Sequence, residues 1–201
     1  MRKFYNIVSF VFQPLLMPTF GMAMLISMNF FDVIPLVWRI VAIFGTFLFT
    51  GLMPAAPILI MLKRGGVSDL FISKREQRTM PYVFSIISYA FWALFLFRVL
   101  KLPMFMVGMG IGTTLSILVI TLVNLKWKIS AHMSGIGGLA GGIFGISYRM
   151  AYNPLWLLIL ILAVSALVAL SRIELKAHTP LQTLGGFSVG FFCVFIPCFF
   201  L

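Results

Sequence analysis

Charged residues are scarce in this chain, and acidic residues are scarcer still. Only 9% of the 201 residues are charged, and four Asp and Glu stand against fifteen Lys and Arg. A soluble domain is usually about a quarter charged, so this composition excludes one. Apolar residues make up 62% of the chain, which excludes intrinsic disorder as well. The composition therefore indicates a protein that folds in lipid.

Cysteine is also nearly absent. Cys193 and Cys198 both fall in the last apolar run, and two thiols make neither a disulfide framework nor a metal site, so we interpret both as buried thiols. A formal charge of +11 would suit nucleic-acid binding, but a mean hydropathy of +1.12 indicates lipid instead. We expect no nucleic-acid partner, no metal and no other cofactor.

Long apolar runs follow one another with short breaks between them. A helix needs about 20 apolar residues to cross the hydrocarbon core, so the chain can hold six to seven spans and no separate soluble domain. We predict a single all-α transmembrane helix bundle over residues 1–201. Two runs contain proline pairs, Pro14 with Pro18 and Pro54 with Pro57, which predict kinks and, in the first run, a break or a re-entrant turn. The runs lie at about 4–31, 36–62, 80–98, 103–125, 132–152, 154–170 and 179–201.

Glycine is concentrated in the fifth apolar run. Its six glycines recur at spacings that let neighbouring helices approach closely in lipid. We predict close helix packing there, and the scarcity of side chains near the start of this helix would also leave room for a lipid headgroup. The glycines are Gly135, Gly137, Gly138, Gly141, Gly142 and Gly145.

Basic residues are divided unevenly between the two membrane sides. With seven spans, eleven of the fifteen Lys and Arg share the side of the N-terminus, and the positive-inside rule assigns that side to the cytoplasm. Four of the eleven are suspected site residues. Without them, seven basic residues remain on this side against four on the other, which still favours the same assignment. We expect an integral protein of a bacterial cytoplasmic membrane, in contact with membrane lipids, and a homo-oligomer is left open.

Three polar clusters fall on one side of the predicted bundle, because one helical hairpin separates each cluster from the next. They cover residues 69–78, 126–132 and 171–182, and they contain both histidines of the chain, His132 and His178. Ionisable groups at membrane depth are costly and usually mark a functional site. Anchoring of helix ends at the interface is the alternative for Lys63, Arg64, Lys126 and Lys176. Histidine is a poor anchor and a good proton carrier, so the clusters indicate a site.

These residue types suit a phosphate ester. Guanidinium groups bind phosphate oxygens bidentately, and lysine binds them as a point charge. One histidine can attack phosphorus while the other protonates the leaving oxygen. The four acids form no Asp-rich pair of the kind that Mg²⁺-diphosphate chemistry needs. A zinc site would have to use His132 and His178 with no clear third ligand.

The clusters resemble three blocks that identify the membrane-bound type 2 phosphatidic-acid phosphatase superfamily. Those blocks are Lys-x6-Arg-Pro, Pro-Ser-Gly-His and Ser-Arg-x5-His-x3-Asp. The third is matched by Ser171-Arg172, His178 and then Gln182 in place of Asp. The second resembles the stretch from Ile129 to His132. The first shares its residue types, without its spacing, with the stretch from Lys74 to Pro81. The resemblance covers about residues 69–190.

This resemblance implies a lipid-phosphate phosphatase or phosphotransferase with a metal-free phosphohistidine mechanism. His178 would be the nucleophile, His132 the general acid and Gln182 the group that orients the nucleophile. Gln182 replaces a carboxylate, and losing the equivalent acid in a serine protease costs about 10⁴ in rate. The alternative is therefore a weak or inactive relative that binds anionic lipid phosphate or scaffolds a membrane partner. The phosphate of a lipid substrate would be held by Lys74, Arg75, Arg78, Ser130 and Arg172.

Overall fold

The computed structural model describes residues 1–28, 32–69 and 72–201 and has an all-helical architecture. The protein is 81% helical, and no strand occurs within the described ranges, which confirms the predicted fold class. The helices are α1 (Arg2–Val11), α2 (Met17–Ile26), α3 (Leu36–Phe47), α4 (Met53–Lys63), α5 (Thr79–Leu94), α6 (Met104–Asn124), α7 (Ala131–Arg149), α8 (Leu155–Glu174) and α9 (Pro180–Phe200).

Six helical stretches within the described residues are long and apolar enough to cross a membrane. Their outer surfaces carry large exposed apolar side chains such as Phe44, Leu162 and Phe192, which suit lipid rather than water. The chain is therefore an integral membrane protein. The six stretches are Arg2–Ile26, Leu36–Lys63, Arg75–Val99, Met104–Asn124, Leu155–Glu174 and Pro180–Phe200.

The seventh predicted span, at about 132–152, forms α7 and differs from the other six. α7 has 19 residues, comparable in length to α6 and α9, but glycine and serine leave it outside the set that is apolar enough by composition. Most of its residues are buried, because α2, α6, α8 and α9 pack around it. A helix that meets protein along most of its surface needs little apolar surface towards lipid. α7 is the central helix of the bundle.

Glycine residues bring α7 and α9 together backbone to backbone. A Cβ atom at Gly137 would overlap the carbonyl oxygen of Phe187, and a Cβ at Gly190 would overlap the carbonyl oxygen of Ser134. This contact is the most extensive between any two helices of the bundle. It confirms the close packing predicted from the glycine spacing of the fifth run.

Prolines break the first predicted span and distort the second. α1 ends at Val11, and a 3₁₀ turn over Pro14–Leu16 precedes α2, because Pro14 has no N–H to continue the helical bonds. In the second span a π-helical turn over Leu48–Leu52 stands just before Pro54. The wider turn moves the backbone away from the proline ring, and the Ser88 hydroxyl of α5 donates to the carbonyl of Phe49 within it.

We predict that Gly137→Ala destabilises the protein far more than Gly138→Ala does. The new methyl group at residue 137 meets backbone of α9, which cannot move without separating the helices. At residue 138 it meets the Val194 side chain at 3.1 Å, which can rotate away. Overpacking costs about 1–3 kcal/mol where side chains can adjust, and more against backbone. Thermal unfolding in detergent measures the difference, and equal midpoints for the two variants would contradict it.

Candidate functional site

A cavity of about 90 Å³ opens at the end of the bundle where α5, α7 and α9 begin. It contains Arg78, His132, Arg172 and His178, so the structure brings together one or more residues from each of the three predicted clusters. All four side chains are buried. The rest of the lining is Gln13, Pro14, Leu15, Ile58, Ile72, Pro81, Tyr82, Ser85, Ile117 and Ala131.

The turn between α8 and α9 explains the five-residue spacing of Arg172 and His178. After the last turn of α8, Lys176 adopts φ 54°, and the chain reverses there. The backbone N–H groups of Ala177 and His178 then donate to the Arg172 carbonyl oxygen over 3.0 and 3.2 Å. This is a helix C-cap of the left-handed type. It holds both side chains at the same cavity.

His178 donates a hydrogen bond to Gln182 at the start of α9. Its Nδ1 lies 3.1 Å from Oε1 of Gln182, and an amide oxygen only accepts, so the proton of the neutral ring is on Nδ1 and Nε2 has a free lone pair. The same Oε1 accepts from the backbone N–H of Thr179 over 3.2 Å, within a capping box that begins α9. Gln182 therefore fixes both the helix start and the tautomer of His178.

His132 lies in the first turn of α7 and is tied to α1. Its Nε2 lies 3.1 Å from the carbonyl oxygen of Ser9. A carbonyl oxygen only accepts, so the proton of the neutral ring is on Nε2. Ser130 is the N-cap of α7, and its hydroxyl accepts from the Met133 N–H over 3.4 Å. The N–H of Ser130 donates to the Gln182 carbonyl over 3.3 Å, which joins the starts of α7 and α9.

Arg78 links the loop before α5 to the loop before α7. It ends a 3₁₀ turn over Arg75–Arg78, and its guanidinium group donates to the carbonyl oxygens of Ile72, over 2.8 Å, and Ile129, over 3.1 Å. The side chain is 4% exposed. Its partners are neutral, so the positive charge of Arg78 remains available to an anion in the cavity.

Three of the predicted phosphate ligands stand outside the lining of the cavity. Lys74 is exposed. Arg75 forms an ion pair with Glu76 at 3.4 Å and donates to the carbonyl oxygen of Leu125 over 3.3 Å. Ser130 is buried and acts as the helix cap just described, with only its neighbours Ala131 and His132 in the lining.

Lys128, which sequence reasoning treated only as part of a cluster, stands outside the cavity lining but within electrostatic reach of its arginines. Burial lowers its pKa, and the nearby charges of Arg78 and Arg172 lower it further. The carboxylates of Glu76 and Asp69 act on the pKa of Lys128 in the opposite direction. Its position two residues before Ser130 was the available signal, but only the tertiary structure brings it within reach of the charge of Arg78.

Positive charge dominates this end of the cavity. Its described lining contains two guanidinium groups and no carboxylate. The acid whose charge acts on Arg172 is Asp69, at the start of the first cluster. Burial lowers the pKa of His178 to about 3, and the charge of Arg78 contributes to the lowering. Both nearby helix starts, at α7 and α9, add positive dipole ends. The site therefore favours an anion.

Metal binding has little support from side chains. Among the described residues, no group of three or more His, Cys, Asp or Glu is placed to hold an ion.

No protein-family model, curated protein or solved structure matches the chain. The likeness to the type 2 phosphatidic-acid phosphatases therefore stands on the sequence blocks.

We predict that acid destabilises the wild type more than His178→Gln. Below about pH 6.5 the unfolded state protonates His178, whereas the folded state resists protonation down to about pH 3. Stability therefore falls as the pH falls through this window, by about 2 kcal/mol at pH 5. Thermal unfolding of both proteins at pH 7.5 and 5.0, roughly one pH unit or more on either side of the ordinary value, measures it. An equal acid response in the glutamine variant would show that His178 is not desolvated.

Proposed function

We propose that the protein is an integral membrane phosphatase or phosphotransferase that acts on lipid phosphates through a phosphohistidine intermediate. The observation that carries the proposal is the cavity shared by two buried guanidinium groups, of Arg78 and Arg172, and two buried histidines, of His132 and His178. Guanidinium groups in a site shielded from water are the strongest side-chain ligands for a phosphate dianion. Imidazole nitrogens beside them supply a nucleophile and a proton.

The hydrogen bonds support separate roles for the two histidines. Nδ1 of His178 donates to Gln182, so its Nε2 lone pair can attack phosphorus. A bond then forms between Nε2 and phosphorus while the bond from phosphorus to the alcohol oxygen breaks. His132, protonated in the presence of the phosphate dianion, gives a proton to that oxygen. Water, or a second alcohol in a phosphotransferase, subsequently takes the phosphoryl group from His178 and returns a proton to His132.

The location of the cavity supports a lipid as the substrate. It lies where α5, α7 and α9 begin, at the ends of long apolar helices. A headgroup at the membrane surface reaches this depth while its hydrocarbon stays between helices. The basic residues on the side of the site favour the cytoplasmic face under the positive-inside rule. In line with the family resemblance, we assign the protein to a bacterial cytoplasmic membrane.

One observation favours a second function, in which the protein binds lipid phosphate or scaffolds a partner without turnover. The oxygen that His178 meets belongs to the neutral Gln182. An amide fixes the tautomer of the ring but does not stabilise a developing imidazolium as a carboxylate does. The phosphate site would then bind without transferring the phosphoryl group.

We predict that the detergent-solubilised wild type releases inorganic phosphate from lipid phosphates and that His178→Ala lowers the rate by about a thousandfold or more. The variant loses the nucleophile and keeps Arg78 and Arg172. Lys74→Gln is the matched control, because Lys74 is exposed, and its rate should stay within about twofold. The metal-free mechanism predicts that EDTA leaves the rate of phosphate release unchanged. Phosphate binding without release by the wild type would support the binding function instead.

We predict that Gln182→Glu raises the phosphatase rate by about tenfold or more, whereas Gln182→Leu lowers it by a similar factor. Glutamate has the reach of glutamine, so it retains the bonds to Thr179 N–H and His178 Nδ1 and keeps the capping box. Its charge stabilises the imidazolium along the reaction path. Aspartate supplies the charge too, but it is one methylene shorter than the residue whose bonds the structure records.

The leucine variant also loses its share of the α9 cap, so its folding needs a separate measurement. Loss of a cap costs about 1 kcal/mol, and a thermal unfolding midpoint close to that of the wild type shows that the bundle is intact. A folded Gln182→Leu protein that hydrolyses lipid phosphate as fast as the wild type would contradict the proposed role of Gln182 in orienting His178.

A further inference from the structure

The phosphate cavity borders a second, smaller cavity in the bundle, which we call the neck. This neck has a volume of about 40 Å³ and shares Pro14 and Ile117 with the phosphate cavity. The neck also shares Met17 and Leu139 with a third cavity of about 220 Å³. The three cavities therefore lie next to one another in a series, beside the break in the first predicted span.

Polarity falls along this series. The phosphate cavity contains two arginines and two histidines. The neck contains the hydroxyl groups of Ser116 and Ser134, which bond to each other over 2.8 Å. The third cavity is wholly apolar, with Met17, Leu139 and Val164 among the residues that line it. This order of polarity matches an amphiphile with its phosphate at the membrane surface and its chain inside the bundle.

The neck contains one buried polar group that lacks a protein partner. Tyr89 lines it and is 1% exposed, and its hydroxyl makes no hydrogen bond to any described residue. A buried hydroxyl without a partner costs about 1–3 kcal/mol. A ligand oxygen in the neck, such as the carbonyl of an ester, would accept from it.

We infer that the protein binds a phosphomonoester with a single hydrocarbon chain, which passes through the neck into the apolar cavity, with an ester oxygen beside Tyr89. The inference rests on the proposed function for the phosphate site but does not require turnover. The neck is the smallest of the three cavities, so we expect it to exclude a lipid with two chains. The chemistry points to lysophosphatidate-type lipids rather than phosphatidate.

Trp92 provides a direct test, because it lines the neck and is 1% exposed. The other tryptophans, Trp38, Trp127 and Trp156, are partly or largely exposed and can be replaced by Phe. A lysophosphatidate brominated in the middle of its chain should quench Trp92 fluorescence by at least half at saturation, and the unbrominated lipid should reverse the quenching. Brominated phosphatidate and brominated phosphatidylcholine should quench it little. Equal quenching by the two-chain lipids, or none by lysophosphatidate, overturns the inference.

A larger side chain in the apolar cavity tests whether the hydrocarbon chain of the lipid ends there. Val164→Phe places a ring in that cavity, and Leu162→Phe, two residues away on the same helix, places one towards lipid because Leu162 is 56% exposed. Loss of about two buried methylenes should weaken lysophosphatidate binding about tenfold in the first variant. Inorganic phosphate binding should be unchanged in both. Equal weakening by both variants, or by neither, contradicts a chain in this cavity.

Tyr89→Phe tests the ester contact. The wild type should bind lysophosphatidate more tightly than hexadecyl phosphate, which lacks the ester, by about fivefold or more, and the variant should bind the two alike. An unchanged preference would contradict the contact between Tyr89 and the ester.

Two combined outcomes separate this inference from the proposed function. Quenching of Trp92 without phosphate release would support the binding site for the hydrocarbon chain and contradict the proposed enzymatic activity. Phosphate release without quenching would support the enzymatic activity and contradict the binding site for the hydrocarbon chain.

Discussion

The contact between α7 and α9 is the interaction on which the site depends. Where Gly137 meets Phe187 and Gly190 meets Ser134, no side chain separates the two backbones. The starts of both helices are consequently adjacent, and the N–H of Ser130 reaches the carbonyl of Gln182. In lipid such contacts rest on van der Waals packing and on hydrogen bonds, because hydrocarbon does not drive apolar helices together. His132 and His178 share a cavity because of this packing.

Around that pair of helices, backbone groups hold the charged side chains in place. Arg78 is fixed by two carbonyl oxygens, and the C-cap of α8 sets the relation between Arg172 and His178. Neutral partners position a cation without cancelling its charge. Burying like charges close together is costly, and under the proposed function an anion bound in the cavity would offset that cost.

The first predicted span connects this site to the interior of the membrane. Its break at Pro14 interrupts one long helix, and the carbonyl of Ser9 near the end of α1 holds His132. The same break borders both the phosphate cavity and the neck. This interrupted helix therefore supplies part of the site and part of the proposed path of the lipid's hydrocarbon chain.

Sequence patterns predicted much of this arrangement for local reasons. Apolar runs of about 20 residues predict spans because the thickness of the bilayer sets their length, and hairpin parity predicted that the regions of Arg78, His132 and His178 share one side. Sequence spacing predicted that Gln182 faces His178, because residues four apart are neighbours on a helix. Composition could not show that α7 is central, since its low hydropathy suits protein neighbours rather than lipid.

The order of residues along the chain dictates the all-helical membrane fold, the common side of the polar clusters and the pairs formed within one helical turn. Which cations reach the cavity depends on long-range packing. Lys74, Arg75 and Lys128 are equally plausible phosphate ligands by residue type. The structure leaves Lys74 exposed, engages Arg75 with Glu76 and brings Lys128 within the influence of Arg78. Long side chains on loops are positioned by contacts from distant parts of the chain, and no spacing in the sequence encodes those contacts.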